Sequence, residues 1–566
     1  MSTSIAYFSM EIGLENHIKN FAGGLGILAG DTLKSGADLG LDMLGITLNY
    51  SQGYFSQNLD SLTGLQIENS DAWDIAKFLQ AENAEFSLEI SHETVWVRVF
   101  RYDIHGQKSV VPVYFLDTDY DKNTPENRHI TSQLYIADPN LRLKQEILLG
   151  IGGVIMLQAL GKFESTQKYH LNESHAAFAI LALRQILNQE SVEKLKEKVV
   201  FTTHTPVLHG HKHYQSSYLE ANLAAQYFNL IQENEKIDGD FNLTRFCLQN
   251  SIYKNAVSKK HAEVSNELFP GFGIDFITNG VHAQSWTSPA TQALLDQYLA
   301  GWRADSSLFR NALEIPDEQI FETHQTNKLE LLKLIQERTG VIFDPKIFTI
   351  GFGRRVDPYK RLDLIFNDLE RLKDIARKHN GLQLVFSGKA YPQTQNLEGS
   401  IAKIYSLSKQ DLGLLKIVYI PNYDMEISLK MVSGADIWLN NPIKPLEASG
   451  TSGMKAAMNG VPNLSILDGW WCEGWVEDQT GWAIGEHSGD QDNLDNTASH
   501  NGAEYINSRD ANDLYNKLER VVLPTYFLNS SHWIEIQKQA MSLNGSHFNT
   551  ERMLLEYLSK GYIKSI

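Results

Sequence analysis

A lysine placed just after a run of small residues is the first position in this chain whose surroundings could do chemistry. In Pro445–Asp468 (PLEASGTSGMKAAMNGVPNLSILD), Glu447 precedes Ser449, Gly450, Thr451, Ser452 and Gly453, and a helix carrying Lys455 is expected next. Small residues entering a helix leave backbone N–H groups free for an anion. A lysine one turn inside that helix adds a point charge or, if desolvated, an amine for a Schiff base. The spacing is not that of a Walker A loop, because Ala456 rather than Ser or Thr follows the lysine. A second segment, Gly353–Arg361 (GRRVDPYKR), sets Arg354, Arg355, Lys360 and Arg361 directly after an expected strand, at the end of an α/β sheet where phosphates bind. Taken singly, each segment fits a solvated surface turn as well as a phosphate site.

Three weaker signals accompany these. In Phe21–Asp31 (FAGGLGILAGD), Gly23, Gly24 and Gly26 allow backbone to approach a ligand, although the spacing is not GxGxxG and a glycine turn packing helix on strand fits equally. His204 follows the expected strand Val199–Thr203, and His209, His211 and His213 recur at alternate positions with no Asp, Glu or Cys between them, so no metal site is assigned. His175 reads as a capping or core histidine. Trp470, Trp471, Trp475 and Trp482 offer flat faces suited either to sugar rings or to interdomain packing. Paired carboxylates for glycoside hydrolysis cannot be assigned from spacing.

The elements that must position these residues alternate short β-branched runs with amphipathic stretches, the pattern of an α/β protein. Strands are expected at 347–352, 382–386, 415–420, 436–439 and 463–467, with a helix at 362–378, as a doubly wound parallel sheet. In the first half, 199–203 is a strand, 176–186 a helix and 148–161 a buried helix too short to span a bilayer. A polar helix at 327–339 lies in the hinge region, and 488–502 reads as an exposed loop. The expected division is 1–285 as one α/β domain, 286–344 as linker and hinge, 345–540 as a Rossmann-like domain and 541–566 as a C-terminal helix packing back toward the first domain. Two such domains facing across a cleft place catalysis between them. With 566 residues, 50 Lys+Arg against 68 Asp+Glu and a net charge of −18, general binding to nucleic acid or an anionic membrane is not expected. Two cysteines, Cys247 and Cys472, and an N-terminus without signal-peptide features point to a reducing compartment, the cytoplasm.

Together these segments resemble the α-glucan phosphorylases, a family of glycosyltransferases with the two-domain GT-B fold. The matching stretches run in order: AYFSMEIGL, GGLGILAGD, RLKQE, LNESH, FTTHTP, TNGVHAQSW, GRRVDPYKR, SGKAYP, IPNYDMEISLKM and EASGTSGMKAAMNG, with the last block most like the short bacterial and archaeal branch. The resemblance implies phosphorolysis of α-1,4-glucan (glycogen or maltodextrin) by inorganic phosphate to glucose-1-phosphate, with retained configuration. It implies pyridoxal 5'-phosphate as coenzyme, whose phosphate relays a proton to substrate phosphate. Lys455 would be the Schiff-base lysine. Gly450, Thr451, Ser452 and Arg354 would hold the coenzyme phosphate, with Trp286 and Tyr423 flanking it. Arg355, Lys360 and the Gly24 N–H would bind substrate phosphate, and Glu447, Ser449, Gly450, Asn279 and His204 the reacting glucosyl unit.

The family's long members carry N-D-T-H-P where this chain has Asn172-Glu173-Ser174-His175-Ala176, and K-R-x-x-E-Y-K-R where it has Gly353's successors Arg354–Arg361 as RRVDPYKR. An N-terminal phosphorylation switch is not expected. The family is commonly homodimeric, but no stretch of sequence locates an interface. Two other readings stay open: a nucleotide-sugar-dependent glucan glycosyltransferase, which would lack bound pyridoxal, and a non-catalytic glucan-binding relative.

Overall fold

The computed structural model describes residues 4–187, 192–236, 239–392, 395–485 and 500–563. It divides into two compact units: Met1–Phe55, Ser70–His282 and Thr550–Ile566 form the first, and Ser56–Asn69 with Ala283–Asn549 the second. Both are built on largely parallel sheets with helices between the strands, so the chain is α/β. Among the described residues no helix is long and apolar enough to cross a membrane.

In the first unit the strands lie in the spatial order 275–276, 253–256, 199–202, 166–172, 4–9, 43–48, 110–117, 93–105 and 80–90. Pairing is parallel as far as 110–117 and antiparallel beyond it. The strand Ser4–Ser9 shows why the sequence reads as a continuous apolar run: Ala6 and Phe8 enter one core, Ile5 and Tyr7 the other. A parallel strand is covered on both faces, so side chains pointing either way must be apolar. Each large side chain so buried contributes about 1.5–3 kcal/mol. The C-terminal helix Thr550–Tyr557 belongs to this unit, where the Tyr557 hydroxyl lies 3.0 Å from Thr202 Oγ1.

The second unit holds a fully parallel sheet in the order 415–420, 382–387, 349–353, 437–440, 463–466, 481–484. Counted along the chain this is 3-2-1-4-5-6, the doubly wound order, with its switch point between 349–353 and 437–440. Arg354 leaves the first of these strands, and the loop bearing Glu447 leaves the second. The helix Asp317–Thr339 belongs here and buries Lys328, whose Nζ lies 2.6 Å from the Asp436 carboxylate beside the sheet.

Several elements differ from the sequence expectation. The helix expected from Leu362 begins at Leu369, because the Asp368 side chain accepts the Arg371 N–H and caps it there. Leu364–Phe366 is a single tight turn. The helix expected from Ala176 begins at Ala179. The stretch from Leu148 widens into a π-helical turn at Leu148–Gly152 before resuming at Gly153–Ala159. Gly150 sits there because a Cβ would come within 2.5 Å of the Ala179 backbone nitrogen. Of the expected loop at 488–502, residues 488–499 lie outside the described residues, and 500–502 open the helix His500–Lys517.

Candidate active site

At the switch point of the second unit, two cations converge on one carboxylate. Arg354 Nη2 donates to Glu447 Oε2 at 2.6 Å, and Lys360 Nζ donates to Glu447 Oε2 and Oε1 at 2.9 and 3.1 Å. All three residues are at least nine-tenths buried. Burial opposes the charge on Glu447, but Lys360 and Arg354 outweigh it and hold the carboxyl at about 2. Lys360 is pushed down to about 8 by burial and by the Arg354 guanidinium, against the pull of Glu447. At neutral pH the cluster is therefore charged throughout. Arg354 Nε and Nη1 are buried with no hydrogen-bond partner among the described residues, so this guanidinium has donors in excess of what Glu447 accepts.

The four cations of GRRVDPYKR separate in the structure. Arg355 is half exposed and meets Asp357 at 3.0 Å. Arg361 takes φ +48° and turns away to the carbonyls of Asn441 and Pro442 and the carboxylate of Asp510, where it ties the loop down. The spacing of the motif did not distinguish this structural arginine from its neighbours.

Lys455 lies in the helix Ser452–Met458, and its Nζ stands 3.3 Å from the centroid of the Trp286 ring. Asn459 builds this contact: its Nδ2 donates to the carbonyl oxygens of both Trp286 and Lys455, at 2.7 and 2.8 Å. Its Oδ1 accepts the Ser288 N–H at 2.9 Å. Gly453 must be glycine, since a Cβ would meet Asn463 Oδ1 at 2.3 Å. Gly450 has φ +75°, which favours glycine, and a Cβ there would meet no atom closer than 3.6 Å. Tyr423 Oη lies 2.8 Å from Ser428 Oγ and 3.2 Å from the Gly353 carbonyl, beside the start of the cationic loop.

Asp468, which the sequence did not single out, ties the Glu447 loop to the sheet. Its two oxygens accept the N–H groups of Glu447 and Gly469 at 2.8 and 2.9 Å. Burial, with the nearby Glu447 charge adding to it, pushes Asp468 up to about 7 against these N–H bonds. The tryptophans at 470, 471 and 482 are buried in the second unit, with Trp482 stacked on Trp533 and Trp470 edge-on to Phe548. They serve as core there and not as exposed sugar platforms.

The first unit gathers polar side chains at the carboxyl ends of strands 4–9, 166–172 and 199–202. The His204 N–H donates to Glu173 Oε2 at 2.7 Å, and His204 Nε2 lies 2.6 Å from Asn172 Oδ1. Burial pushes His204 down to about 4, against the pull of the Glu173 charge, so the imidazole is neutral. Glu173 itself takes φ +73° and ψ 162°, a region a non-glycine residue rarely enters, and strain of about 1–3 kcal/mol follows. Its carboxylate repays the geometry by also accepting the Ser174 N–H and Thr205 hydroxyl, at 2.8 and 3.0 Å. No sequence signal marks a positive φ at a glutamate. Asn279 Oδ1 and His175 Nδ1 have no hydrogen-bond partner among the described residues, and burial with the Arg142 charge pushes His175 down.

The glycine loop belongs to the same unit. The Glu11 carboxylate accepts the N–H groups of Ala22 and Gly23 at 2.6 and 3.2 Å and the Tyr135 hydroxyl at 2.7 Å. Gly24 opens the helix Gly24–Leu39, and a Cβ on it would meet nothing within 4 Å. The remaining histidines disperse: His211 meets Thr244, His213 meets Asp240, and His209 is exposed. Among the described residues no group of three His, Cys, Asp or Glu could hold a metal ion.

Comparison with known proteins agrees with the motifs. A family model described as carbohydrate phosphorylase matches residues 209–550. The maltodextrin phosphorylase of Thermococcus litoralis is 37% identical, over 99% of this chain and 71% of its own length. The glycogen phosphorylases of Aquifex aeolicus and Mycobacterium tuberculosis are 34% and 30% identical, each over 99% of this chain and over 86% and 71% of their own lengths. The chain belongs to the carbohydrate phosphorylase family.

Proposed function

We propose that this protein is an α-1,4-glucan phosphorylase that transfers the non-reducing-end glucosyl unit of maltodextrin or glycogen to inorganic phosphate, giving α-glucose-1-phosphate. The observation that carries the reading is the cation cluster of Arg354 and Lys360 around Glu447, in the same unit as Lys455 held on the Trp286 face. Two phosphates close together repel, so such a reaction needs fixed cations and N–H donors already in place.

The residues fit pyridoxal phosphate. The buried donors of Arg354 that no group among the described residues accepts suit a phosphate, and Trp286 gives a ring a flat neighbour. Lys455 would hold the coenzyme covalently. Gly450, Thr451, Ser452 and Arg354 would hold its phosphate, with Trp286 and Tyr423 flanking. When bound, the coenzyme supplies a phosphate that holds a proton and returns it to substrate phosphate.

The protein's own groups do the rest. Arg355, Lys360 and the Gly24 N–H are assigned to substrate phosphate, and Glu447, Ser449 and Gly450 to the glucosyl hydroxyls. His204, neutral and with Nε2 engaged on Asn172, offers Nδ1 as an acceptor to a sugar hydroxyl, and Asn279 offers Oδ1. Overall, the glycosidic C1–O4 bond breaks, a phosphate oxygen bonds C1, and a phosphate proton ends on the leaving 4-hydroxyl. Cations fixed on Glu447 before substrate arrives would stabilise the negative charge on phosphate without reorganising.

The test is phosphate-dependent release of glucose-1-phosphate from maltodextrin, together with borohydride reduction and peptide mapping. A pyridoxyl group on Lys455, lost in Lys455→Ala along with activity, is expected. An active Lys455→Ala protein without coenzyme would defeat the reading, and turnover with a nucleotide-sugar donor in its place would favour a sugar-nucleotide transferase.

A further inference from the structure

The segment Ser56–Asn69 leaves the first unit's chain after Phe55 and belongs to the second unit. It forms an antiparallel hairpin in which Gln57 faces Glu68 and Leu59 faces Gln66. With side chains alternating across the pleat, Gln57, Leu59, Gln66 and Glu68 share one face. Gln57 and Gln66 on that face are 1% and 8% exposed, unusually low for glutamine, whereas Asn58 and Ile67 on the other face are exposed.

The two amides read backbone at the carboxyl ends of two strands of the second sheet. Gln57 pairs reciprocally with Asn422: its N–H donates to Asn422 Oδ1 at 3.1 Å, and its Oε1 accepts the Asn422 N–H at 2.8 Å. Gln66 pairs reciprocally with Ala390: its Oε1 accepts the Ala390 N–H at 3.0 Å, and its Nε2 donates to the Ala390 carbonyl at 3.3 Å. Gln57 Nε2 donates to Gln66 Oε1 at 2.8 Å and joins the two pairs. Asn422, at φ +62°, is followed by Tyr423. Ala390 forms a parallel bridge with Val356, the Val356 N–H donates to the Lys389 carbonyl, and the Arg354 N–H donates to that of Ser387.

We infer that this hairpin is a latch that sets the Tyr423 loop and the Arg354–Val356 backbone, with Gln57 and Gln66 as positioning residues for coenzyme and phosphate binding. The inference rests on the assignment of Arg354 and Tyr423 proposed above. An isolated two-stranded hairpin is marginal in water, so this one is ordered by docking. Removing one amide leaves buried N–H and C=O groups unpaired, which drives the two loops to rearrange.

The test uses the full-length holoenzyme with Gln57→Leu, Gln66→Leu and Asn422→Gly, the last suited to a positive φ and keeping its N–H. Leu62→Ser at the exposed hairpin tip is the control. Each latch variant is expected to raise KM for inorganic phosphate about 10-fold and to speed loss of the pyridoxal absorbance, with Leu62→Ser unchanged. Should the leucine variants not fold, Asn422→Gly decides alone. Lowered unfolding midpoints with wild-type phosphate KM and coenzyme retention would make the hairpin purely structural and overturn the inference. Coenzyme retention unaffected by Lys455→Ala would instead overturn the site assignment on which it rests.

Discussion

Asn172 Oδ1 lies 2.6 Å from His204 Nε2, and the contact decides which imidazole nitrogen carries the proton. Ser9 Oγ donates to the Glu11 carbonyl at 2.7 Å, so it is left to accept from Asn172 Nδ2 at 3.1 Å. The amide is thereby oriented with its oxygen toward His204, whose Nε2 must donate. A neutral ring protonated on Nε2 keeps Nδ1 as an acceptor.

Asn172→Asp tests this chain of donors. A carboxylate in that place favours the imidazolium and lifts His204 from about 4, so Nδ1 becomes a donor over part of the working pH range. The expected result is a new acidic limb in the pH profile of kcat/KM for maltodextrin, with about a 10-fold loss on its low side. A profile superimposable on that of the parent protein would show that His204 Nδ1 does not meet the glucan.

The pH dependence at high pH should come from Lys360. Its folded value of about 8 lies below the ordinary lysine value of 10.5, so the native protein binds this proton less tightly than the unfolded chain. Its stability cost is full below pH 8 and is relieved as pH rises from there toward 10.5. Activity runs the other way, because proton loss near pH 8 would remove a cation from the proposed phosphate site. We expect kcat/KM for phosphate to fall above about pH 8, and Lys360→Arg to move that limb upward. The initial-rate profile against phosphate at several pH values measures both.

Much of the second unit was legible because both faces of its strands are buried. Leu415–Ile420 is apolar and buried at every position but Lys416 and forms a strand with those bounds. The cationic loop was legible for a related reason: charges clustered at a strand's carboxyl end are rare enough to stand out. What stayed hidden depends on contacts distant in sequence. Nothing near Gln57 indicates that its amide will meet Asn422, or that Asp468 will cap the Glu447 backbone. The Glu173 conformation was equally invisible, since its strain is maintained by a histidine N–H and a threonine hydroxyl some 30 residues away.

Asp468 makes a prediction about stability alone. Its folded value near 7 exceeds the ordinary 3.8, so the native state binds this proton more tightly than the unfolded chain. Stability from this group is full below pH 3.8 and is lost as pH rises toward 7. Glu447 has the opposite sign, its contribution disappearing as pH falls from 4.5 toward 2. Between pH 5 and 8 the Asp468 effect is therefore isolated from that of Glu447. Asp468→Asn should flatten the decline in unfolding free energy over that interval, as read from urea titrations at pH 5 and pH 8. An unchanged slope would mean that Asp468 is ionised throughout.

Gly24 and Gly26, separated by one residue, distinguish packing from binding in the glycine loop. A Cβ at Gly26 would come within 2.7 Å of Glu11 Oε2 and 2.8 Å of Phe21 Cβ. Gly26→Ala must therefore displace the carboxylate that accepts the Ala22 and Gly23 N–H groups, at a cost of about 1–3 kcal/mol. Gly24 is exposed, and a Cβ there meets nothing within 4 Å. Gly24→Ala should leave the unfolding midpoint unchanged or slightly raised, since alanine is the better helix former by up to about 1 kcal/mol. If the Gly24 N–H meets substrate phosphate, the same methyl group obstructs its approach and KM for phosphate rises about 10-fold or more. Thermal unfolding and phosphate kinetics on the two variants thus respond in opposite order. A Gly24→Ala protein with parental phosphate KM would remove this N–H from the phosphate site.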